Sequence, residues 1–148
     1  MRRIRYKLSS KTMLMLYDTL IVPHINYCVS VWGGTSRTNL IKIHIIQKKA
    51  LRLIVLEKPQ TPSKPLFYQL RRLNIYDIHK HQIAQFMHSN LTGNMPYLLP
   101  NNFQGNSQLH NHATRSSTDI YVPTAKTNSS KFAFSICGPK SGIVYPQG

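Results

Sequence analysis

Acid is what this chain has least of. Asp18, Glu57, Asp77 and Asp119 stand against 19 lysines and arginines in 148 residues, and no two of the four are neighbours in sequence. Chemistry that needs clustered carboxylates, two-metal phosphoryl transfer above all, is poorly supplied. Cysteine is nearly as scarce. Cys28 and Cys137 are too far apart to suggest a disulfide framework or a four-cysteine zinc site, and their number fits a reducing compartment. No apolar run approaches the roughly 18 to 20 residues that a membrane-spanning helix needs. A phosphate-cradling glycine loop is missing too, Gly33-Gly34 being a lone pair, and Ser135 lies in no nucleophile elbow.

What is present is positive charge. The formal net charge is +15 and the pI near 10.2, which points to a polyanion as partner. Fourteen of the 19 cations lie in residues 1–72 against two acids, a net of +12 for that stretch. The footprint is N-terminal. The opening Met1 to Lys11 is acid-free and rich in arginine and serine, as mitochondrial presequences are, but no small-residue processing site follows.

The 41% hydrophobic content supports a small core, and its spacing is mostly helical. Met13, Leu16, Tyr17, Leu20 and Ile21 predict a helix over 10–22 capped by Ser9 or Ser10. Pro23 ends or kinks it and opens a second helix with Ile25, Val29 and Trp32 on one face, stopped by Gly33-Gly34. Asn39 is the expected cap of a third helix reaching about Leu56. Leu40, Ile43, Ala50, Leu51 and Ile54 share one side of it, and Lys42, Lys48, Lys49 and Arg52 the other. Pro59, Pro62 and Pro65 predict a stiff, extended linker. Leu66, Leu70 and Leu73 mark a short helix carrying Arg71 and Arg72. A longer helix runs from Tyr76 or Asp77 to about Asn90, with Ile78, Ile83, Phe86 and Met87 inward and Asp77 as cap. Residues 93–119 read mostly as loop with little to bury. Alternation in Lys131 to Ile136, and the run Ile120-Tyr121-Val122, predict two short strands, so a small hairpin is possible there. The expected class is mainly α: a basic helical domain over 1–92 and a loop-rich tail over 93–148.

Chemical constellations are thin. His79-x-His81 with His88, and His110-x-His112, resemble metal-ligand pairs, but residues two apart on a helix point about 200° from one another. No metal and no cofactor are expected. His24 and Cys28 share a helical face, yet Cys28, flanked by Tyr27, Val29 and Val31, is expected buried and inert. The basic face carries more: Lys42, Lys49 and Arg52 align over nearly three turns and, with Lys48 and the N-terminal Arg2, Arg3 and Arg5, are the candidate contacts to RNA or DNA phosphates.

Four segments, in order, resemble one family. Leu16-Tyr17-Asp18-Thr19-Leu20-Ile21-Val22-Pro23, continuing through Tyr27 to Trp32-Gly33-Gly34, is similar to the region after the polymerase core in non-LTR retrotransposon reverse transcriptases of jockey-like and LINE-type groups. Ile45 to Arg52 resembles that family's helix with a Lys-Ala-x-Arg ending. Pro65-Leu66-Phe67 with Leu73 to Ile78 resembles its next segment. His110 with Thr114-Arg115, then Ser135 to Gly138-Pro139-Lys140, resembles its tail. The resemblance implies structural roles for Tyr17, Pro23, Tyr27, Trp32, Gly33, Arg115, Gly138, Pro139 and Lys140. It also implies a helical thumb with an RNA-binding C-terminal region, located in the nucleus or cytoplasm. Two departures qualify it: the chain contains no Asp-Asp pair for the family's palm, and 141–148 diverge from its usual continuation. The expectation is a fragment without polymerase or nuclease activity that binds nucleic acid regardless of sequence. The alternative is a standalone basic RNA-binding protein, organellar and ribosome-associated, for which the presequence-like start argues.

Overall fold

The computed structural model describes residues 6–94, 103–109, 112, 115, 119–127, 130–132 and 134–140. Among these the protein is mainly helical and has no strand: α1 Ser10–Leu20, α2 Val22–Asn26, α3 Val29–Trp32, α4 Arg37–Val55, α5 Ser63–Gln69, α6 Ile75–Leu91, α7 Asn106–Leu109, a 3₁₀ turn Ser130–Phe132 and α8 Phe134–Lys140. The chain divides into two compact units, Met1–His79 and Lys80–Gly148, and the division falls inside α6.

In the first unit, Ser9 caps α1, its hydroxyl accepting from the Thr12 amide at 3.2 Å. Pro23 sits in the first turn of α2, where a missing N–H has no intrahelical partner to lose. The expected single helix to Trp32 is broken instead: Cys28 adopts φ 49°, separating α2 from α3. Trp32 Nε1 then donates to the Tyr27 carbonyl at 2.6 Å, satisfying an acceptor that the break exposes. Cys28 is exposed, not buried, because the left-handed turn directs it outward with Tyr27 and Val31.

The long helix α4 is preceded by Ser36 as cap residue; Asn39 lies inside it and donates to Thr35 Oγ1. The extended linker stops at Pro62, φ −54° and ψ 130°, and Pro65 is helical instead. Pro62 holds the cap position of α5 and Pro65 its first turn. That helix ends at Gln69, so Leu73 falls outside it and is exposed, and Arg71 and Arg72 follow it. Asn74, not Asp77, caps α6: its Oδ1 accepts from the Tyr76 and Asp77 amides at 2.9 and 3.1 Å.

Two apolar clusters fill this unit. One joins Met13 and Tyr17 of α1, Ala50, Leu51 and Ile54 of α4, and Phe67 of α5. The other joins Ile25, Val29, Leu40, Ile75 and Ile78. Helix α4 runs through both, and between its contributions sits Gln47, fully buried. Gln47 Nε2 donates to Tyr17 Oη at 3.2 Å and its Oε1 accepts from the Ile75 amide at 2.9 Å, tying α1, α4 and α6 together. Gly33 is needed where α3 ends: a Cβ there would collide with the His79 ring and the Val29 carbonyl.

In the second unit Ile83 and Met87 of α6 pack with Phe103 and Ile120, and Cys137 lies against them. The two expected strands do not form. The 120 segment meets the chain at 105 in a single antiparallel bridge, flanked by Asn106 N to Asp119 O and Tyr121 N to Gln104 O. Beyond it, 130–132 form a 3₁₀ turn and 134–140 a helix. A strand needs a paired neighbour, and a short apolar run buries equally well on a helix, here through Ile136 and Gly138. Gly138 sits so close that a Cβ would stand 2.6 Å from Met87 Sδ. Phe103 is buried, although its surrounding segment reads as loop with little to bury.

Candidate nucleic-acid interface

Helix α4 presents the candidate cations. Its buried stripe of Leu40, Gln47, Ala50, Leu51 and Ile54 fixes the helix's rotation, which leaves Lys42 and Lys49 exposed and Lys48 half-buried at the edge. Arg52 is half-buried, and its Nε donates to the Thr61 carbonyl at 2.9 Å, closing the loop between α4 and α5. Arg2, Arg3 and Arg5 lie outside the described residues. The same outward face carries Ile41, Ile45 and Ile46, exposed at 42%, 39% and 59%. The lysine pattern alone does not reveal these isoleucines, although 41, 45 and 46 fall within about 140° of one another at ~100° per residue and on the lysine side.

The acids are occupied elsewhere. Asp18 takes a two-pronged grip from Arg72, Nε to Oδ1 at 2.7 Å and Nη2 to Oδ2 at 2.5 Å, the one ion pair among the described residues. Glu57 accepts from the Thr61 hydroxyl and Asp77 from the Asn74 amide. Lys42, Lys48 and Lys49 therefore face no carboxylate across an ion pair among the described residues.

Comparisons with protein-family models, curated proteins and solved structures find no match.

The residues of the family-like motif take separate places. Tyr17 is in the core, with burial pushing its hydroxyl above the ordinary value of 10.0. Pro23 and Tyr27 are exposed, Trp32 is half-buried, and Gly33 lies against His79. Arg115 is exposed, and Gly138, Pro139 and Lys140 close α8. No group of three or more histidine, cysteine or acidic side chains that could hold a metal occurs among the described residues. His79 is half-buried beneath Gly33, while His81 and His88 are exposed.

Two histidines bear on pH. Burial pulls His79 below 6.5. Burial and then the Lys48 ammonium pull His44 down as well, where it stacks on Phe67 at 5.8 Å and meets Tyr76 edge-on. Neither His44 Nδ1 nor His79 Nε2 has a hydrogen-bond partner. Both favour the neutral form when folded, so between their lowered values and 6.5 the unfolded chain binds more protons. Their contribution is whole above about pH 6.5 and is lost as the pH falls through the folded values. The urea midpoint followed by Trp32 fluorescence is expected to drop from pH 7.5 to pH 5, and less steeply in His44→Gln/His79→Gln. An acid-side rise in the midpoint contradicts this.

Proposed function

We propose that this chain is a nucleic-acid-binding fragment, resembling the region downstream of the palm in a non-LTR retrotransposon polymerase, that grips RNA or DNA by its phosphates. The observation that carries the reading is the outward face of α4, where Lys42 and Lys49 are exposed with Lys48 at the edge, while the acids of the same unit are bound to Arg72, Thr61 and Asn74. A face kept only for solubility ordinarily interleaves acids with its lysines. Phosphate neutralisation needs spaced cations and no base-reading group, so binding is independent of sequence and sensitive to salt. The chain carries no polymerase chemistry of its own in this reading.

The isoleucines between the lysines favour a second reading, adsorption of the α4 face to an anionic lipid surface. No helix among the described residues is long and apolar enough to cross a membrane.

Anisotropy titration of labelled RNA and duplex DNA against salt tests the first reading. With about four to six phosphates contacted, the log–log slope is roughly −3 to −5, so affinity falls about 60- to 1,000-fold between 50 and 200 mM salt. A flat salt response, or binding to phosphatidylserine vesicles without binding to oligonucleotides, rejects it.

A further inference from the structure

The first unit holds an open cleft of about 620 Å³ beside α5, walled by Lys64, Tyr68, Arg71, Arg72, Leu73 and Asp77. Part of its charge and part of its apolar lining are unspent. Arg72 is held by Asp18 and Asp77 by Asn74, so each is already engaged within the fold. Lys64 and Arg71 are in no ion pair among the described residues. Tyr68, 74% exposed, lines the cleft with both: Lys64 lies four residues earlier on the same face of α5, and Arg71 follows just past the helix's end. Leu73, 49% exposed, adds an apolar edge.

The conformation of Arg71 is a second observation. It closes α5 at φ 51°, with the Arg71 amide on the Tyr68 carbonyl at 3.0 Å and the Arg72 amide on the Phe67 carbonyl at 2.9 Å. These are the two bonds of a Schellman ending, whose left-handed position ordinarily takes glycine. Gly93 does so after α6, with its amide on Asn90 and that of Asn94 on Ser89. A glycine at 71 would make the same turn without the strain of a Cβ, so the turn alone does not call for arginine.

An exposed ring flanked by two unpaired cations suits one ligand chemistry: a base stacked on the ring with its neighbouring phosphates on the cations. Bases in a duplex have no free face to stack. We propose that the α5 cleft holds an unpaired nucleotide of a single strand, its base on Tyr68 and its flanking phosphates on Lys64 and Arg71. The proposal rests on the reading that the chain binds nucleic acid, and adds to the α4 face a site that separates single strand from duplex.

The experiment compares the full chain with Tyr68→Ala, Tyr68→Phe and Arg71→Gly, by anisotropy on a labelled single-stranded oligonucleotide and on its duplex at one salt concentration. Tyr68→Ala is expected to weaken single-strand binding about 5- to 150-fold, the loss of one stacked base, and to leave duplex binding unchanged. Tyr68→Phe retains the ring and the affinity. Arg71→Gly raises the thermal midpoint while weakening single-strand binding, which separates recognition from folding. The cleft proposal falls alone if the parent binds both ligands and Tyr68→Ala changes neither, or changes both equally. If the parent binds neither, the reading under it falls too. A Tyr68-dependent affinity for a poly-glutamate peptide greater than that for the oligonucleotide assigns the cleft to acidic peptide and overturns the proposal.

Discussion

Replacing Gln47 by alanine is expected to destabilise the first unit by about 3–5 kcal/mol, enough to unfold much of it given typical total stabilities of about 5–15 kcal/mol. The side chain is fully buried and both ends of its amide are used, one on Tyr17 Oη and the other on the Ile75 amide. Alanine leaves the buried Ile75 N–H without an acceptor and the Tyr17 hydroxyl without its donor, each costing about 1–3 kcal/mol, and adds a cavity. Gln47→Leu fills most of the volume and avoids the cavity but still strands the two groups, so it is expected to cost somewhat less than alanine, about 2–4 kcal/mol. Tyr17→Phe keeps the ring in the cluster of Met13, Leu51 and Phe67 and is expected to be mildest. Urea unfolding followed by Trp32 fluorescence ranks the three. Stability of Gln47→Leu equal to the parent's shows that the hydrogen bonds joining α1, α4 and α6 carry no net weight.

Gln47 also shows where periodicity is informative and where it stops. Leu40, Gln47 and Ile54 recur at seven residues, the spacing of one helical face, so the buried arc of α4 is written in the sequence. A polar residue in that arc reads as surface unless its partners are known, and Tyr17 and Ile75 are thirty and twenty-eight residues away. Helix positions in the first unit follow from apolar spacing, whereas several ends do not. Cys28, Leu56 and Arg71 all take the left-handed conformation that glycine would have advertised. The break at Cys28 and the turn at Arg71 come from residues without that signature, so apolar spacing alone predicts one helix where α2 and α3 stand and puts Arg71 on α5. In the second unit, the alternation at 131–136 lacked a partner strand, and Ile136 is buried on a helix. Of the candidate interface, the lysine side of α4 was legible because burial on one arc dictates exposure on the other. The α5 cleft was not, since the left-handed turn at Arg71 that ends α5 beside it carries no glycine to announce it.

The charge-reversed variant Lys42→Glu/Lys48→Glu/Lys49→Glu is expected to lose nucleic-acid affinity by at least about 100-fold at low salt and to flatten the salt slope by about 2–3, the share of three phosphate contacts. It lowers the net charge from +15 to +9 and places three carboxylates where phosphates would lie. Arg52 is left intact on purpose. Its Nε holds the Thr61 carbonyl, and reversing it would open the α4–α5 loop and mix a folding defect into the binding result. Lys42 and Lys49 are exposed, so their reversal leaves the core untouched. Lys48 is half-buried, and its ammonium is among the influences that lower His44, so Lys48→Glu is expected to move His44 upward and to soften the loss of stability on acidification. That shift marks the reversal as having worked at the intended surface, independently of any ligand. Arg115→Glu/Lys126→Glu, both exposed and in the second unit, removes comparable charge per residue and is expected to weaken binding far less. Equal losses per reversed residue in the two variants mean that net charge alone governs binding. Undiminished binding by the α4 variant at moderate salt means that its lysines are merely solvated.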